Sequence, residues 1–202
     1  MAVRVTVENF IRAETDRMFA SFQADAGGVN RLTHTRVPTP IEHRPVIRMN
    51  RDTLYSAAVV DISQGATVTV PDTGDRYISP MVVNQDHYIN RILHDPGDYL
   101  LTAEEFDTPW VAVAARILVD PAIEDDVSTV NAVQDQLAVG ANSSRPFQMP
   151  DYDTTNLDAT RDALLELAKH LSSFDHAFGR KRDVDSLAPH PARTPARDAR
   201  GP

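Results

Sequence analysis

Residues 67–90 read TVTVPDTGDRYISPMVVNQDHYIN. Two β-rich runs, Thr67–Val70 and Arg76–Asn84, flank the linker Pro71-Asp72-Thr73-Gly74-Asp75. In that linker Pro71 fixes its own φ and Gly74 is free to take a positive one. The pattern predicts a hairpin, the second run returning beside the first. Pro80 has no N–H to give a ladder, so the second run is expected to be an edge strand or to carry a bulge.

The same grammar extends outward. Residues 54–62 (LYSAAVVDI) form a short apolar run rich in β-branched residues, and residues 110–119 (WVAVAARILV) form the clearest strand in the chain. His94-Asp95-Pro96-Gly97-Asp98 is a further turn. No helical pattern separates these strands, which favours an antiparallel sheet over a doubly wound one. Helices are expected at the two ends. The first covers roughly 7–24, with Thr6 as cap, Val7, Ile11, Met18 and Phe22 at helical spacing, and Gly27-Gly28 as the stop. Pro38, Pro40 and Pro45 keep 30–45 an extended loop. A second helix should start at Asp120-Pro121 and present Ile123, Val127, Val130 and Leu137. A third is expected after Thr155 and Asp158, with Leu157, Leu164, Ala168, Leu171 and Phe174 on one face, running to Phe178 and Gly179. The expected fold class is α+β: an antiparallel β-sheet or sandwich packed with an N-terminal helix and two C-terminal helices.

Composition narrows the function. The 202 residues contain no cysteine, which excludes disulfide scaffolds, Cys-ligated metal sites and thiol chemistry. No apolar run spans a membrane and the N-terminus has no apolar signal core, so a cytoplasmic location is expected. The net charge is -9. Residues 180–202 carry six basic and three acidic groups, leaving 14 basic against 26 acidic in residues 1–179. So acidic a body lacks the basic footprint that nucleic acid needs. From Ala188 the chain reads APHPARTPARDARGP, with no apolar side chain larger than alanine. The domain is therefore expected to end near residue 180, with 181–202 a disordered tail or the product of a shifted reading frame in a GC-rich gene.

Two polar strings stand out. Asn50-Arg51-Asp52-Thr53-Leu54-Tyr55-Ser56 opens a strand; Arg51 could clamp a carboxylate and Tyr55 could donate a hydrogen bond. Their alternative role is to pin the start of the strand. Asn84-Gln85-Asp86-His87-Tyr88 closes another strand, where His87 could serve as a general base. Asp86 and His87 are neighbours and should point to opposite faces, so no direct dyad is expected between them. His87 could equally be a hydrogen-bonded structural residue. No cofactor is implied. His87 and His94, with Asp86 and Asp95, make a divalent metal imaginable, but no ligand spacing compels it. Ser56 has no base partner visible in the sequence.

The segments NRDTLYSAAVVD (50–61), TVPDTGDRYISPMVVNQDHYIN (69–90) and HDPGDYLLTAEEFDTPWVAVAARILVD (94–120) resemble the bacterial family called domain of unknown function 1254. The most specific mark is Asn-Arg-Asp-Thr-Leu-Tyr-Ser followed by Gly-x-Arg-Tyr (Gly74 to Tyr77). The resemblance covers about residues 5–180 and implies antiparallel sheet packed with helices. It also implies a second β-rich domain, numbered 1214, that follows in full-length relatives. On this reading the chain looks like an N-terminal domain alone. The expected function is half of a small-molecule site, for binding or hydrolysis of a small carbonyl or carboxylate compound. Arg51, Asp52, Tyr55, Tyr77 and Asp86 would bind, and His87 would move a proton. The alternative is a non-catalytic domain whose exposed sheet is covered by a second β-rich domain or another copy. Neither reading calls for nucleic acid or membrane.

Overall fold

The computed structural model describes residues 2–40, 50–171, 173 and 178–185. Helix α1 (Phe10–Ala26) comes first and stops at Gly27, which holds φ 69° in the left-handed region as expected of a glycine stop. Asn9, not Thr6, precedes the helix; its Oδ1 accepts the Thr6 N–H at 2.7 Å. Then follow β1 (Thr33–His34), β2 (Thr53–Asp61), β3 (Ala66–Val70), β4 (Ile78–Asn84), β5 (Ile89–Ile92) and β6 (Gly97–Leu101). A short α2 (Ala103–Phe106) leads into β7 (Trp110–Leu118), α3 (Asp126–Gln134), β8 (Ala138–Ala141), α4 (Thr154–Ala168) and α5 (Lys181–Asp185).

The strands form two antiparallel sheets, one ordered β1-β2-β7-β4-β5 and the other β6-β3-β8. The chain is thus an α+β sandwich with helices at both ends of the sequence. Strand alternation gives the larger sheet two different faces. Leu54, Ala58, Val60, Ile78, Val82, Val111, Val113 and Ile117 turn inward to meet Ala66, Val68, Val70 and Leu101 of the smaller sheet. Val130 and Val133 of α3 close that core. On the opposite face Val59 and Ala112 lie beneath Phe19 of α1, and Phe147 stacks edge-on against Phe19 at 5.6 Å. Val5, Ala13 and Leu157 join α1 to α4.

Two strand expectations are corrected. β3 and β4 are not a hairpin: β3 pairs with β6 and β8, while β4 pairs with β7 and β5. The linker 71–77 carries the chain from one layer to the other, so Val70 and Ile78 meet across the core instead of side by side. Nor is β4 an edge. The Pro80 carbonyl accepts the Leu93 N–H at 2.8 Å, so the side of Pro80 that lacks a donor faces the point where β5 has already ended at Ile92. The ladder with β7 runs unbroken from Ile78 to Asn84, and of the two alternatives expected it is the bulge that the strand carries, against β5 at Val82/Val83 and not at Pro80 itself.

Two helix starts also differ from expectation. α3 begins at Asp126, not near Asp120, because the Asp120 carboxylate accepts the Ala122 N–H at 2.9 Å in a turn. Asp126 in turn accepts the Asp120 N–H and pairs with Arg76. α4 is capped by Asp153, whose side chain accepts the Asn156 N–H at 3.1 Å. Phe174 and residues 186–202, including the Pro/Ala/Arg segment, lie outside the described residues. The expected boundary at 180 falls immediately before α5, in which Val184 is buried.

Phe19 is the largest group joining α1 to the sheet. Replacing Phe19 with alanine leaves a cavity between helix and strands and is expected to cost about 3–5 kcal/mol. Urea unfolding of the purified chain measures this; a loss below about 1 kcal/mol would show that α1 is not held by this contact.

Candidate functional site

The face of the larger sheet that α1 covers is covered only in part. Reading away from the helix, the row Val59–Ala112–Val83 is buried, the row Ala57–Ala114–Met81 is half-buried, and Arg116 in the next row is exposed. That row contains one of the sequence candidates, Tyr55, and a second, Tyr77, lies one row further out beside Leu118. Tyr55 lies directly opposite Arg116, and Arg116 directly opposite Ser79. The Arg116 guanidinium sits 5.8 Å from the centre of the Tyr55 ring, a cation–π geometry. The Tyr77 hydroxyl donates to Ser79 Oγ at 2.9 Å. Tyr77 and Leu118 are 50% and 45% exposed, so this end of the sheet is open. Arg116 forms no ion pair with any acid among the described residues. Thr53, two residues before Tyr55 and on its face, is only 7% exposed, and its hydroxyl has no hydrogen-bond partner among the described residues.

Arg51 and Asp52 lie just outside this row, before β2 begins. Arg51 is exposed and its Nε donates to the Thr39 carbonyl at 3.0 Å. The Asp52 N–H donates to Asn50 Oδ1, and its carbonyl accepts the Val119 N–H. These bonds hold the start of β2 against the end of β7.

Asp86 and His87 stand at the far end of β4, which has seven residues; that is about 23 Å of extended chain from Tyr77. They occupy the β4–β5 turn, with His87 at φ 63°. Asp86 accepts from Arg12 of α1 at 2.6 Å, while His87 Nδ1 lies 3.0 Å from Thr15 Oγ1. The neighbours therefore diverge toward different partners. Thr15 also donates to the Ile11 carbonyl at 2.8 Å, which commits its only proton, so His87 Nδ1 is the donor to Thr15. Next to them is a carboxylate the sequence reading passed over. Asp16 is buried and accepts from Gln85 Nε2 at 3.0 Å and from the Tyr152 hydroxyl at 2.8 Å. Burial raises the Asp16 pKa against the opposing pull of those two bonds. Burial and the bond to Asp16 push the Tyr152 phenol up as well. This cluster locks α1, the turn and the segment before α4 together.

Two further polar groups were not singled out as sites. Ser56, buried, has His34 as its cross-strand neighbour, with His34 Nδ1 at 2.8 Å from Ser56 Oγ. Burial, then the charge of Arg36, lowers the His34 pKa. Asp61 is fully buried and accepts from Ser63 Oγ and Ser143 Oγ at 2.6 Å, from the Arg145 N–H at 2.8 Å and from the Arg145 guanidinium at 3.2 Å. Burial on its own would raise its pKa. The bonds from Arg145, Ser143 and Ser63 outweigh that effect and hold the carboxyl well below the usual range. Among the described residues, no three His, Asp or Glu side chains are grouped to hold a metal ion. No helix among them is long and apolar enough to cross a membrane.

An antiparallel sandwich with a partly covered five-stranded sheet defines the class of domain. The chain belongs to the family described as Protein of unknown function (DUF1254), whose model matches residues 29–141. That span runs from just before β1 to the end of β8, so it contains both sheets and the Tyr55–Arg116–Ser79 row. The structure is similar to the crystal structure of the VPA0106 protein from Vibrio parahaemolyticus, with a TM-score of 0.67 at 15% identity. The match covers 92% of this chain and 63% of that one, so the chain spans under two thirds of that protein's length. The likeness is one of fold. No curated protein matches the chain.

The two buried acids make opposite contributions to stability with pH. The Asp61 pKa is lowered on folding, so its contribution is complete above the ordinary carboxylate pKa of about 3.9 and is lost as pH falls below it. The Asp16 pKa is raised, so its contribution is complete below that value and is lost as pH rises toward the folded pKa. Asp61→Asn is expected to cost about 2 kcal/mol at neutral pH and to flatten the acid limb of the stability curve. Asp16→Asn should instead remove the decline on the rising side. Urea midpoints between pH 3 and 8 read both, and an unchanged acid limb in Asp61→Asn would refute the first assignment.

Proposed function

We propose that this chain is a small-molecule-binding domain whose ligand presents a carboxylate or carbonyl group to Arg116 at the open end of the five-stranded sheet. The observation that carries the reading is an arginine in the middle of a sheet, exposed, seated on Tyr55 and lacking an acidic partner among the described residues. A guanidinium offers a planar fork that matches a carboxylate, and the ring beneath it fixes its plane. Ser79 of β4 and Tyr77 just before that strand add hydroxyls. Arg51 flanks the same end and could add a second cation once released from the Thr39 carbonyl.

Binding is favoured over hydrolysis. His87 lies at the opposite end of β4, engaged with α1, and so is remote from a ligand on Arg116. A second copy of the chain is a weaker occupant of the face. Two-fold packing about its centre would set one Arg116 against another, which costs energy unless an acid intervenes.

Calorimetric titration of the chain with short carboxylates and their amides tests the reading. Carboxylates should bind, and Arg116→Ala should weaken them at least tenfold, whereas His87→Ala should leave affinity unchanged. Absence of binding by every carboxylate, or equal affinity in Arg116→Ala, would overturn it.

A further inference from the structure

The face beside Arg116 has a shape and a polarity of its own. Between the arginine row and the row buried under α1 lies the row Ala57–Ala114–Met81, extended by Ile92 of β5 on one side and by Thr33 of β1 on the other. Its two central residues are alanines on adjacent strands, so the floor there is low. Met81 and Ile92 rise on one side, and Phe19, over Val59 and Ala112, blocks the far end. Ile92 is 49% exposed and the alanines are half-buried, so solvent reaches this floor. No charged side chain stands in the row; among the described strand residues of this face the nearest charge is Arg116, one row away. The result is an apolar trough with the Arg116 cation at its open end. Rows on one face are about 6.7 Å apart, so the distance from the Arg116 row to the row under α1 is about 13 Å.

We infer that the ligand of this site is a monocarboxylate with an unbranched apolar body of about six to eight carbons, its carboxylate on Arg116 and its chain over Ala57 and Ala114 toward α1. This rests on the preceding assignment of Arg116 as the carboxylate anchor and adds the identity of the remainder of the ligand. Charge complementarity selects the head: a cation without an acid among the described residues calls for an anion. Polarity selects the body: burying a second carboxylate against alanine and methionine would leave it without a partner. Water over the alanine floor is displaced by the chain, and each methylene covered adds to affinity until α1 is reached. Length dependence with a limit is thus the signature of this geometry.

The test is calorimetric titration of the full chain with acetate, hexanoate, octanoate, dodecanoate, hexanamide and adipate. Octanoate should bind at least tenfold more tightly than acetate, dodecanoate should gain nothing further, and hexanamide and adipate should each fall at least tenfold below hexanoate. Ala114→Leu should abolish the difference between octanoate and acetate by filling the floor; Ala57→Leu does the same from the adjacent strand if the first variant fails to fold. Equal, Arg116-dependent binding of acetate and octanoate would overturn the trough while leaving the anchor standing. Preference for adipate would overturn the apolar body. Octanoate binding that survives Arg116→Ala, or no binding by any acid, would overturn both anchor and trough.

Discussion

Strand β7 has to satisfy two environments at once, and the rest of the domain is arranged around that demand. Its odd-numbered residues from Val111 to Ile117 enter the sandwich core, where the smaller sheet and α3 meet them. Its even-numbered residues face the other way and change along the strand from Ala112 through Ala114 to Arg116. Position 112 must be small because Phe19 lies over it. Arginine is tolerated at 116 because that position is exposed and α1 covers the sheet only as far as the Ala112 row. One strand therefore encodes both a closed core and an open surface, and the period of two keeps them from interfering.

The partial cover is maintained by polar links, since the apolar contacts of α1 alone would leave its angle loosely defined. The Arg12–Asp86 pair, the Thr15–His87 bond and the buried Asp16 fix α1 to the β4–β5 turn. Arg161 pairs with Glu14 and so ties α4 to the outer side of the same helix. Asp61 gathers the loop after β8 beneath Trp110, whose ring carries the Arg145 guanidinium at 4.8 Å. Each link lies at the covered end of the sheet. None of them reaches the Arg116 row, which is why that row stays open while its neighbours two rows away are sealed.

Much of this was legible in the chain itself. The apolar runs at 54–62 and 110–119 carry the period of a strand, and β2 and β7 fall where they predict. The glycine pair at 27–28 ends α1 as its φ requirement demands. The pairing of strands was less legible. A Pro-Asp-Thr-Gly linker looks alike whether the chain folds back in one sheet or crosses to a second, because both need the same local reversal; only the cores on either side decide. Asp120-Pro121 is a helix start by local chemistry, but Asp126 is held by Arg76 from fifty residues away and moves the start. The site divides in the same way. Tyr55 and Tyr77 were recognised from the sequence, yet their meeting at one end of the sheet depends on β7 lying between β2 and β4. Asp16 sits in a helix whose pattern reads as ordinary, and its burial comes from Gln85 and Tyr152, which no local window contains.

Arg116 is the instructive omission. It breaks an otherwise apolar strand, WVAVAARILV, at a position where a core-facing residue would be ruinous. Alternation from Trp110 places it opposite in sense to Ile117, so the sequence already states that one face of this strand leaves the core before the strand ends. A structural arginine at such a place would be expected to find an acid on the neighbouring strands. Here the residues opposite it are Tyr55 and Ser79, neither of them an aspartate or glutamate. The domain therefore bears the cost of ordering a long cation over an aromatic ring without a salt bridge among the described residues to offset it. That imbalance is the strongest physical reason to look for the missing anion outside the chain.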